Sequence, residues 1–382
     1  MASKWMTALS KMDGAVNEER DPFEKVAQTA SPSVNFIFGK SWGLPLGYTA
    51  MLYGPPKEGK SVLSHMFAGH LQQNDPEAIV VKFDSEFRTR GQLRRSDMAL
   101  FGIDPDRFQS VENNTPSGVF DQIEQIVGAQ CAKGAPIKMI IVDSISSVQG
   151  RREMNTESVE KHTIGDHAQT IQIGLKRILP IIRKYDIALI LIVQARAEMD
   201  MLEQKRGNKY KMQAGFGLQH MAEYFISVDR NKNKAGRADL SGREFINEEL
   251  KDLADRGEQT AIKIRVKMKD SSMGPVGRLA EFTFHFHHGI VSQHEEVYKL
   301  GSGRGVIEEV SQGRFAFGDQ KWHGEKAVLE ALEADPELQK SILAEVQRRD
   351  EAGEYNEADA KLAKQIEASG EEGLEDEESD EE

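Results

Sequence analysis

An eight-residue loop, residues 54–61, between a strand pattern and a helix pattern constrains this chain more than any other feature. Its sequence, GPPKEGKS, fits the phosphate-binding pattern G-x-x-x-x-G-K-[ST]. The apolar run 50–53 before it predicts a buried strand, and a helix-period run from Val62 to Leu71 follows. Glycines let backbone N–H groups turn inward around phosphate, at the positive end of the new helix. The pattern predicts a nucleoside triphosphate site; a Gly/Pro turn that matches by chance is the alternative.

The residue types of this loop predict how the contacts are divided. The Lys60 ammonium group is expected to reach the β- and γ-phosphate oxygens, and the Ser61 hydroxyl is expected to hold Mg²⁺. The predicted nucleotide-contact set is Gly54, Pro55, Pro56, Lys57, Glu58, Gly59, Lys60, Ser61 and Val62, together with Asp143 from a later strand.

Four continuous apolar runs predict the strands of one sheet. Each is bounded by helical patterns and polar residues, which is typical of an α/β fold whose parallel sheet is buried on both faces. Ligands of open α/β sheets bind at the carboxyl ends of the strands, so we expect the polar residues that follow these runs to form one site. The runs are residues 50–53, 78–83, 139–142 and 187–193.

Three polar side chains at these strand ends are candidates for the chemistry. Asp143 is expected to complete the Mg²⁺ shell; the alternative is an aspartate that caps the next helix. Glu86 is placed to orient or deprotonate an attacking water, unless it is a solvated loop glutamate. Gln194 is a neutral amide that could sense the γ-phosphate and pass its presence to the segment that follows.

Two polar segments without a clear period follow the later strands. Residues 151–167 begin with two arginines, and residues 197–216 hold four basic residues around Tyr210. Basic side chains interleaved with an aromatic ring suit a nucleic-acid backbone with stacked bases. A mobile surface loop is the alternative for residues 197–216.

Two later runs alternate with a period of two. In residues 261–269 the four basic side chains fall on one side of a strand, and by itself this pattern favours an exposed sheet face. In residues 282–288 the histidines are predicted to lie on the solvated face of a strand rather than to bind metal, because no carboxylate or cysteine is spaced to join them.

The net charge of −13 would argue against a nucleic-acid partner if it were evenly spread. Residues 371–382 carry nine acidic side chains and no basic one, so the remaining chain has 53 acidic against 49 basic residues, a net charge of −4. A block of like charge such as this is expected to be disordered and is often an interaction tail.

Neither a membrane nor a disulfide-bonded fold is indicated. The longest apolar runs are too short to span a bilayer, and the first 20 residues lack the apolar core of a secretory signal. A single cysteine, Cys131, excludes an internal disulfide and a cysteine-based metal site. We therefore expect a cytoplasmic protein.

Taken in order, these motifs resemble those of the RecA-type homologous recombinases, in their bacterial and phage branch. The similarity covers roughly residues 33–349, and the ordered set is specific although other ATPases share single motifs. The similar segments are GLPLG before LYGPPKEGKS, then FDSE, MIIVDSISSV, VQAR, and GRFAFGDQKWHGEKAVLEAL with DPEL.

The resemblance implies a RecA-like P-loop ATPase core with a mainly parallel central sheet, and it implies roles for single residues. Glu86 becomes the catalytic carboxylate and Gln194 the switch. Lys267 and Lys269 would reach across a subunit boundary to the neighbour's γ-phosphate, in the way an arginine finger acts. The implied catalytic set is Glu86, Lys60, Gln194, Lys267 and Lys269, with ATP as nucleotide and Mg²⁺ held by Ser61 and Asp143.

By the same resemblance, residues 151–167 and 197–217 become two DNA-binding loops. The implied partners are single- and double-stranded DNA and further copies of this chain in a helical filament, with single-strand-binding and mediator proteins as additional candidates. The implied DNA contacts are Arg151, Arg152, Arg196, Lys205, Arg206, Lys209, Lys211, Gly215 and Gly217.

The expected organisation has four parts. Residues 1–32 form an arm that packs on the next subunit, 33–290 the ATPase and DNA-binding core, 291–349 a small α+β domain, and 350–382 a charged helix and disordered acidic tail. The implied function is DNA-dependent ATP hydrolysis with homologous pairing and strand exchange, in DNA recombination and repair. A helicase motor would need a ring-forming domain, and a non-catalytic mediator need not keep Glu86; these are the alternatives.

Overall fold

The four apolar runs are four adjacent strands of one sheet, as the sequence predicted. The computed structural model describes residues 21–88, 93–150, 166–197, 199, 210–212, 221–230 and 261–354. A short pair, β1 (Val26–Ala27) and β2 (Leu44–Pro45), precedes the sheet. The sheet strands are β3 (Thr49–Gly54), β4 (Ile79–Asp84), β5 (Phe108–Glu112), β6 (Ile137–Asp143), β7 (Ala188–Ala197), β8 (Tyr210–Met212), β9 (Tyr224–Arg230), β10 (Ala261–Ser271), β11 (Leu279–His285) and β12 (Gly289–Val291).

The described part of the sheet is parallel on one side and antiparallel on the other. Its order is β12-β11-β10-β9-β3-β7-β6-β4-β5, with β8 paired to the end of β7. The six neighbouring strands β9-β3-β7-β6-β4-β5 run parallel, whereas β9, β10, β11 and β12 form an antiparallel meander. This mainly parallel α/β sheet brings the ends of β3, β4, β6 and β7 to one edge.

Helices cover both faces of the parallel part, because its strands are apolar on both faces. In β7, Ile190 and Ile192 pack into the core layer that contains Leu63 of α2, whereas Leu191 and Val193 pack into the layer that contains Leu175 of α4. The helices are α1 (Pro32–Phe36), α2 (Lys60–Asn74), α3 (Gly128–Ala132), α4 (Asp166–Lys184), α5 (Gln293–Gly303), α6 (Glu325–Ala334) and α7 (Pro336–Ala352).

Helix α2 lies unusually close to a neighbouring turn. A Cβ atom on Gly69 would lie 1.7 Å from the carbonyl oxygen of Phe101, which ends the 3₁₀ helix Asp97–Phe101. The neighbour is backbone rather than the end of a flexible side chain, so the contact cannot be relieved by a rotamer change. Glycine at position 69 therefore allows α2 to seat against this turn.

Replacing Gly69 with alanine is expected to lower the free energy of unfolding by about 2–3 kcal/mol, because the methyl group must push helix and turn apart. Thermal unfolding of the purified variant, followed by circular dichroism, measures the effect. Gly303→Ala is the matched control, since a Cβ atom there meets nothing within 4 Å. Equal unfolding temperatures for the two variants would contradict the predicted overlap.

The chain after β12 builds a third apolar cluster. Helices α5, α6 and α7 pack with the antiparallel strands β13 (Glu308–Ser311), β14 (Arg314–Phe317) and β15 (Gln320–His323). Phe36 and Trp42, from the segment before β3, also belong to this cluster. Asp350 of α7 is buried and pairs with Arg278, which lies just before β11. These contacts join the carboxy-terminal elements to the sheet.

Strand β7 is longer than the apolar run predicted. The run ends at Val193, yet the strand continues to Ala197, because β8 supplies an antiparallel partner for its last three residues. Gln194 consequently lies within the strand, opposite Gly54 of β3. The segment after Gln194 also contains this short strand, which the aperiodic sequence did not indicate.

The prediction of a solvated strand face for the histidines of residues 282–288 is wrong for His285. This ring is 2% exposed, because β11 ends there and the following turn folds the His287 backbone N–H onto Nδ1 of His285 at 3.1 Å. Burial, aided by His288 and His287, lowers the pKa of His285 to about 4, so the ring is neutral. The described residues contain no group of three or more His, Cys, Asp or Glu side chains that fits a metal ion.

No helix in the described ranges is both long enough and apolar enough to cross a lipid bilayer.

Candidate active site

The phosphate loop, residues 54–61, needs glycine at positions 54 and 59. A Cβ atom on Gly54 would lie 2.1 Å from the carbonyl oxygen of Val228 on the adjacent strand. Gly59 has φ +103°, a conformation that L side chains rarely adopt, and a Cβ atom there would lie 2.6 Å from Ile264. Glu58 fixes the loop from the other side, since its Oε2 accepts a hydrogen bond of 2.7 Å from the backbone N–H of Arg230.

Lys60 opens helix α2 and is almost fully buried. Its ammonium group donates hydrogen bonds to the carbonyl oxygens of Gly54 at 2.8 Å and Pro55 at 2.5 Å, so it lies inside the curve of the loop. Burial lowers the pKa of Lys60 to about 8, an effect that the nearby carboxylates of Asp143, Glu86 and Glu58 oppose. A phosphate group in the loop would add to the negative charge of these carboxylates and further stabilise the buried ammonium group.

The Ser61 hydroxyl and the Asp143 carboxylate meet across the strand ends. Ser61 Oγ donates a hydrogen bond of 2.9 Å to Asp143 Oδ2, which joins the first turn of α2 to the end of β6. Both are hard oxygen donors, and Mg²⁺ in proteins takes one or two such ligands and completes its shell with water and phosphate oxygens. The donor set therefore fits a magnesium ion bound together with a nucleotide.

A buried lysine lies behind this pair. Lys82 on β4 has a side chain that is 1% exposed, and its Nζ lies 3.1 Å from Asp143 Oδ2 and 3.3 Å from His65 Nε2. Burial, with the adjacent Lys82 charge, lowers the pKa of His65 well below its ordinary value, so the neutral ring accepts the hydrogen bond. Lys82 and His65 were not predicted, although a lysine inside the apolar run 78–83 was a visible signal.

Glu86, in the turn after β4, and Gln194, within β7, are in direct contact. Gln194 Nε2 donates to Glu86 Oε1, and the Ser144 hydroxyl donates to the same oxygen at 2.9 Å. Arg88 forms an ion pair of 2.7 Å with Glu86 Oε2. A carboxylate held between a serine, an amide and a guanidinium group is well oriented.

One cavity of about 240 Å³ unites these residues. Arg88, Arg230 and Phe286 also line it and were not predicted; Arg230 and Phe286 had a signal, because each follows an apolar strand pattern. The predicted residues that line it are Pro56, Lys57, Gly59, Lys60, Ser61, Val62, Glu86, Asp143 and Gln194. A larger hollow of about 660 Å³ lies between β14 and α7, and none of its lining residues also lines the first cavity. Its arginines Arg348 and Arg349 are already paired with Glu345, so we consider it a surface groove.

The basic residues of β10 share one face of the sheet, as their spacing predicted. They alternate with buried Ile262, Ile264, Val266 and Met268, but none of them is fully exposed. Arg265 forms two hydrogen bonds with Asp229, and Lys263 lies 3.8 Å from Glu281. Ile262 at the start of β10 lines the cavity, whereas Lys267 and Lys269 lie further along the strand and do not.

Most of the predicted DNA contacts lie outside the described residues, namely Arg151, Arg152, Lys205, Arg206, Lys209, Gly215 and Gly217. Arg196 is exposed near the end of β7, two residues beyond Gln194, and the backbone of Lys211 pairs opposite it in β8. The end of β7 thus links the cavity, through its own backbone, to one of the two candidate DNA segments.

Comparison with known proteins gives a consistent result. Residues 14–291 match the family described as the RecA N-terminal domain. The protein named Protein RecA of a Thermus thermophilus strain is 23% identical over 325 residues, which is 85% of each chain. The Protein RecA of Chlorobium chlorochromatii is 24% identical over 320 residues, 83% of this chain and 80% of the relative. That of a Wolbachia species is 23% identical over 331 residues, 86% and 83%.

Proposed function

The chain belongs to the RecA family, and on that premise we propose that it is a DNA-dependent ATPase that forms helical filaments on single-stranded DNA and catalyses homologous pairing and strand exchange. The observation that carries the proposal is the convergence of Lys60, Ser61, Asp143, Glu86 and Gln194 around one cavity. They come from helix α2, from strands β6 and β7 and from the turn after β4, and together they supply the groups that one chain contributes to phosphoryl transfer from ATP to water.

In the proposed reaction, the phosphate loop and Lys60 hold the triphosphate. The loop presents the backbone N–H groups at the start of α2, and the buried ammonium group neutralises the terminal phosphates. Ser61 and Asp143 hold Mg²⁺, which when bound neutralises charge on the β- and γ-phosphate oxygens. The contacts between Lys60 and the loop carbonyls must exchange for phosphate contacts as ATP enters.

Glu86 positions the attacking water and accepts its proton. Its carboxylate lines the cavity together with Lys60 and Asp143, and Asp143 is already assigned to the metal ion. Gln194 links that carboxylate to the backbone of β7, whose next residues lead to Arg196 and to β8. When the γ-phosphate leaves, Gln194 changes partner, and the end of β7 transmits this change to the DNA segment. The ATP-bound and ADP-bound forms of the protein would then bind DNA with different affinities.

The filament is proposed to be required for catalysis. Lys267 and Lys269 complete the ATP site of the neighbouring subunit, and residues 151–167 and 197–217 hold the DNA backbone through lysine and arginine contacts, which should make binding strongly salt-dependent. The proposal retains the predicted division of the chain into an arm (1–32), a core (33–290), a small domain (291–349) and an acidic segment (350–382). Base pairing between DNA strands, rather than protein side chains, then tests homology.

ATP hydrolysis with and without single-stranded DNA, combined with negative-stain electron microscopy of the same samples, tests the proposal. DNA-stimulated turnover together with helical filaments is expected. Turnover with closed rings would replace the proposal with a helicase motor. Nucleotide binding without turnover under any condition would indicate a non-catalytic mediator.

Removal of residues 371–382 is expected to strengthen binding to duplex DNA and to make that binding more sensitive to salt, because salt no longer weakens a competitor together with the DNA contacts. The nine acidic side chains compete with DNA phosphates for the same basic segments, so their loss favours DNA. A fluorescence anisotropy titration at several salt concentrations measures both quantities. A chain of equal length with these acids replaced by serine and glutamine is the control for length. Unchanged affinity and salt slope would rule out the competition.

A further inference from the structure

Lys82 is an ammonium group inside the central sheet, next to the proposed metal site. It lies on β4 between apolar neighbours, and its side chain is 1% exposed. Burying an ammonium group is costly unless it is paired and hydrogen-bonded. The two described partners are the carboxylate of Asp143 and the neutral ring of His65. A lysine at this position therefore depends on these partners.

The paired oxygen also serves the phosphate loop. Asp143 Oδ2 accepts the hydrogen bond from Ser61 and faces the Lys82 ammonium at 3.1 Å. A purely structural ion pair would need only the second contact. Here the lysine fixes the very oxygen that connects β6 to the start of α2, and its charge acts on the acid that is proposed to hold Mg²⁺.

We propose that Lys82 is a positioning residue that holds the Asp143 carboxylate in place and sets how strongly the nucleotide site depends on Mg²⁺. The inference rests on the proposed nucleotide site and deepens it. In the absence of metal, the Lys82 charge neutralises Asp143 and keeps that carboxylate from repelling the phosphates. In the presence of metal, the same charge opposes the binding of the divalent ion.

Loss of the Lys82 charge is expected to weaken ADP binding and to strengthen Mg²⁺ binding. Damage to the fold would weaken both, so the two explanations can be distinguished. Without the Lys82 charge, ADP should bind more weakly in EDTA, because an uncompensated carboxylate repels its phosphates. Mg²⁺ should bind more tightly, because the same carboxylate attracts it without competition. Unit charges within a few ångströms of each other in a buried site shift each affinity by about tenfold or more. By linkage, the ratio of the ADP dissociation constants in EDTA and in Mg²⁺ depends only on the Mg²⁺ affinities, so at a Mg²⁺ concentration that does not saturate the free protein it is expected to rise by about tenfold.

The experiment measures binding of a fluorescent ADP to the full chain, once in EDTA and once across a Mg²⁺ titration. Lys82→Met, which keeps the length and apolar stem of the side chain, is expected to raise the ratio and to lower the half-saturating Mg²⁺ concentration about tenfold. If both affinities fall together and the ratio is unchanged, the lysine has only a packing role and the proposal fails.

Lys138→Met is the matched control, because Lys138 lies on the same strand as Asp143, five residues before it, and the change removes the same charge. Its ratio is expected to stay within about twofold of the original chain. If Lys82→Met does not fold, Lys82→Gln, which can still donate a hydrogen bond to Asp143, is measured in the same way and should show most of the increase. A wild-type chain that binds ADP in neither buffer would instead overturn the nucleotide site itself.

Discussion

Replacing Glu86 with glutamine is expected to lower DNA-stimulated ATP hydrolysis by about 10²–10⁴-fold while ATP and single-stranded DNA still bind. The amide keeps the size of the side chain and one acceptor oxygen, so the hydrogen bonds from Ser144 and Gln194 can persist. It cannot accept a proton from water, and that is the step the proposal assigns to the carboxylate. Turnover at saturating DNA, binding of fluorescent ATP and filament imaging measure the three properties separately.

The same substitution also breaks the ion pair with Arg88, so a second variant must separate the two effects. The Arg88 side chain is 52% exposed, and such pairs contribute about 1 kcal/mol or less. Arg88→Gln keeps the carboxylate and removes the pair, and it is expected to change turnover by no more than about fivefold. If Arg88→Gln loses as much activity as Glu86→Gln, the ion pair and not the carboxylate is responsible. Normal turnover in Glu86→Gln would remove Glu86 from the reaction.

Local sequence patterns were sufficient for the four central strands of the sheet and for the polar residues that follow or end them. Continuous apolar runs identify strands buried on both faces, and the polar residue at the end of each run marks the shared edge, which is why Asp143, Glu86 and Gln194 were found. The four runs are adjacent in the sheet, and that outcome follows from the parallel arrangement they predicted.

Contacts between distant segments could not be read from local patterns. The pairing of β8 with β7 extends a strand beyond its apolar run, and nothing within residues 194–197 announces a partner fifteen residues further on. The burial of His285 depends on the turn that follows β11, whereas alternation alone placed it in solvent. Lys82 was visible as a charge in an apolar run, but its partners, His65 and Asp143, lie on other elements.

The roles proposed for Lys267 and Lys269 require a boundary between two subunits. Ile262 of β10 lines the cavity, and these lysines lie five and seven residues further along the strand. Gly59 of the phosphate loop lies against Ile264, so at about 3.3 Å per residue the two lysines are roughly 10–17 Å along the strand from the loop, and neither of them lines the cavity of its own chain. If they act in catalysis, they act on the site of a neighbouring subunit.

Mixing two inactive variants tests this arrangement directly. Lys60→Ala lacks the phosphate-binding lysine but keeps Lys267 and Lys269, whereas Lys267→Ala/Lys269→Ala has the opposite defect. Each alone is expected to lose at least about 10²-fold in DNA-stimulated turnover. In an equimolar mixture with random neighbours, about one boundary in four pairs an intact Lys60 with the intact lysines of its neighbour, so about a quarter of wild-type turnover should return.

The control mixture combines Lys60→Ala with Glu86→Gln. Both defects then lie in the cavity of a single chain, so no choice of neighbour assembles a complete site and no turnover should return. Electron microscopy of the mixtures must show filaments, which establishes that the subunits have assembled. Restoration in the first mixture and not in the second would place the two lysines across the boundary. Filaments that remain inactive in both mixtures would contradict that placement, because an interface with all its groups present would then lack the predicted activity.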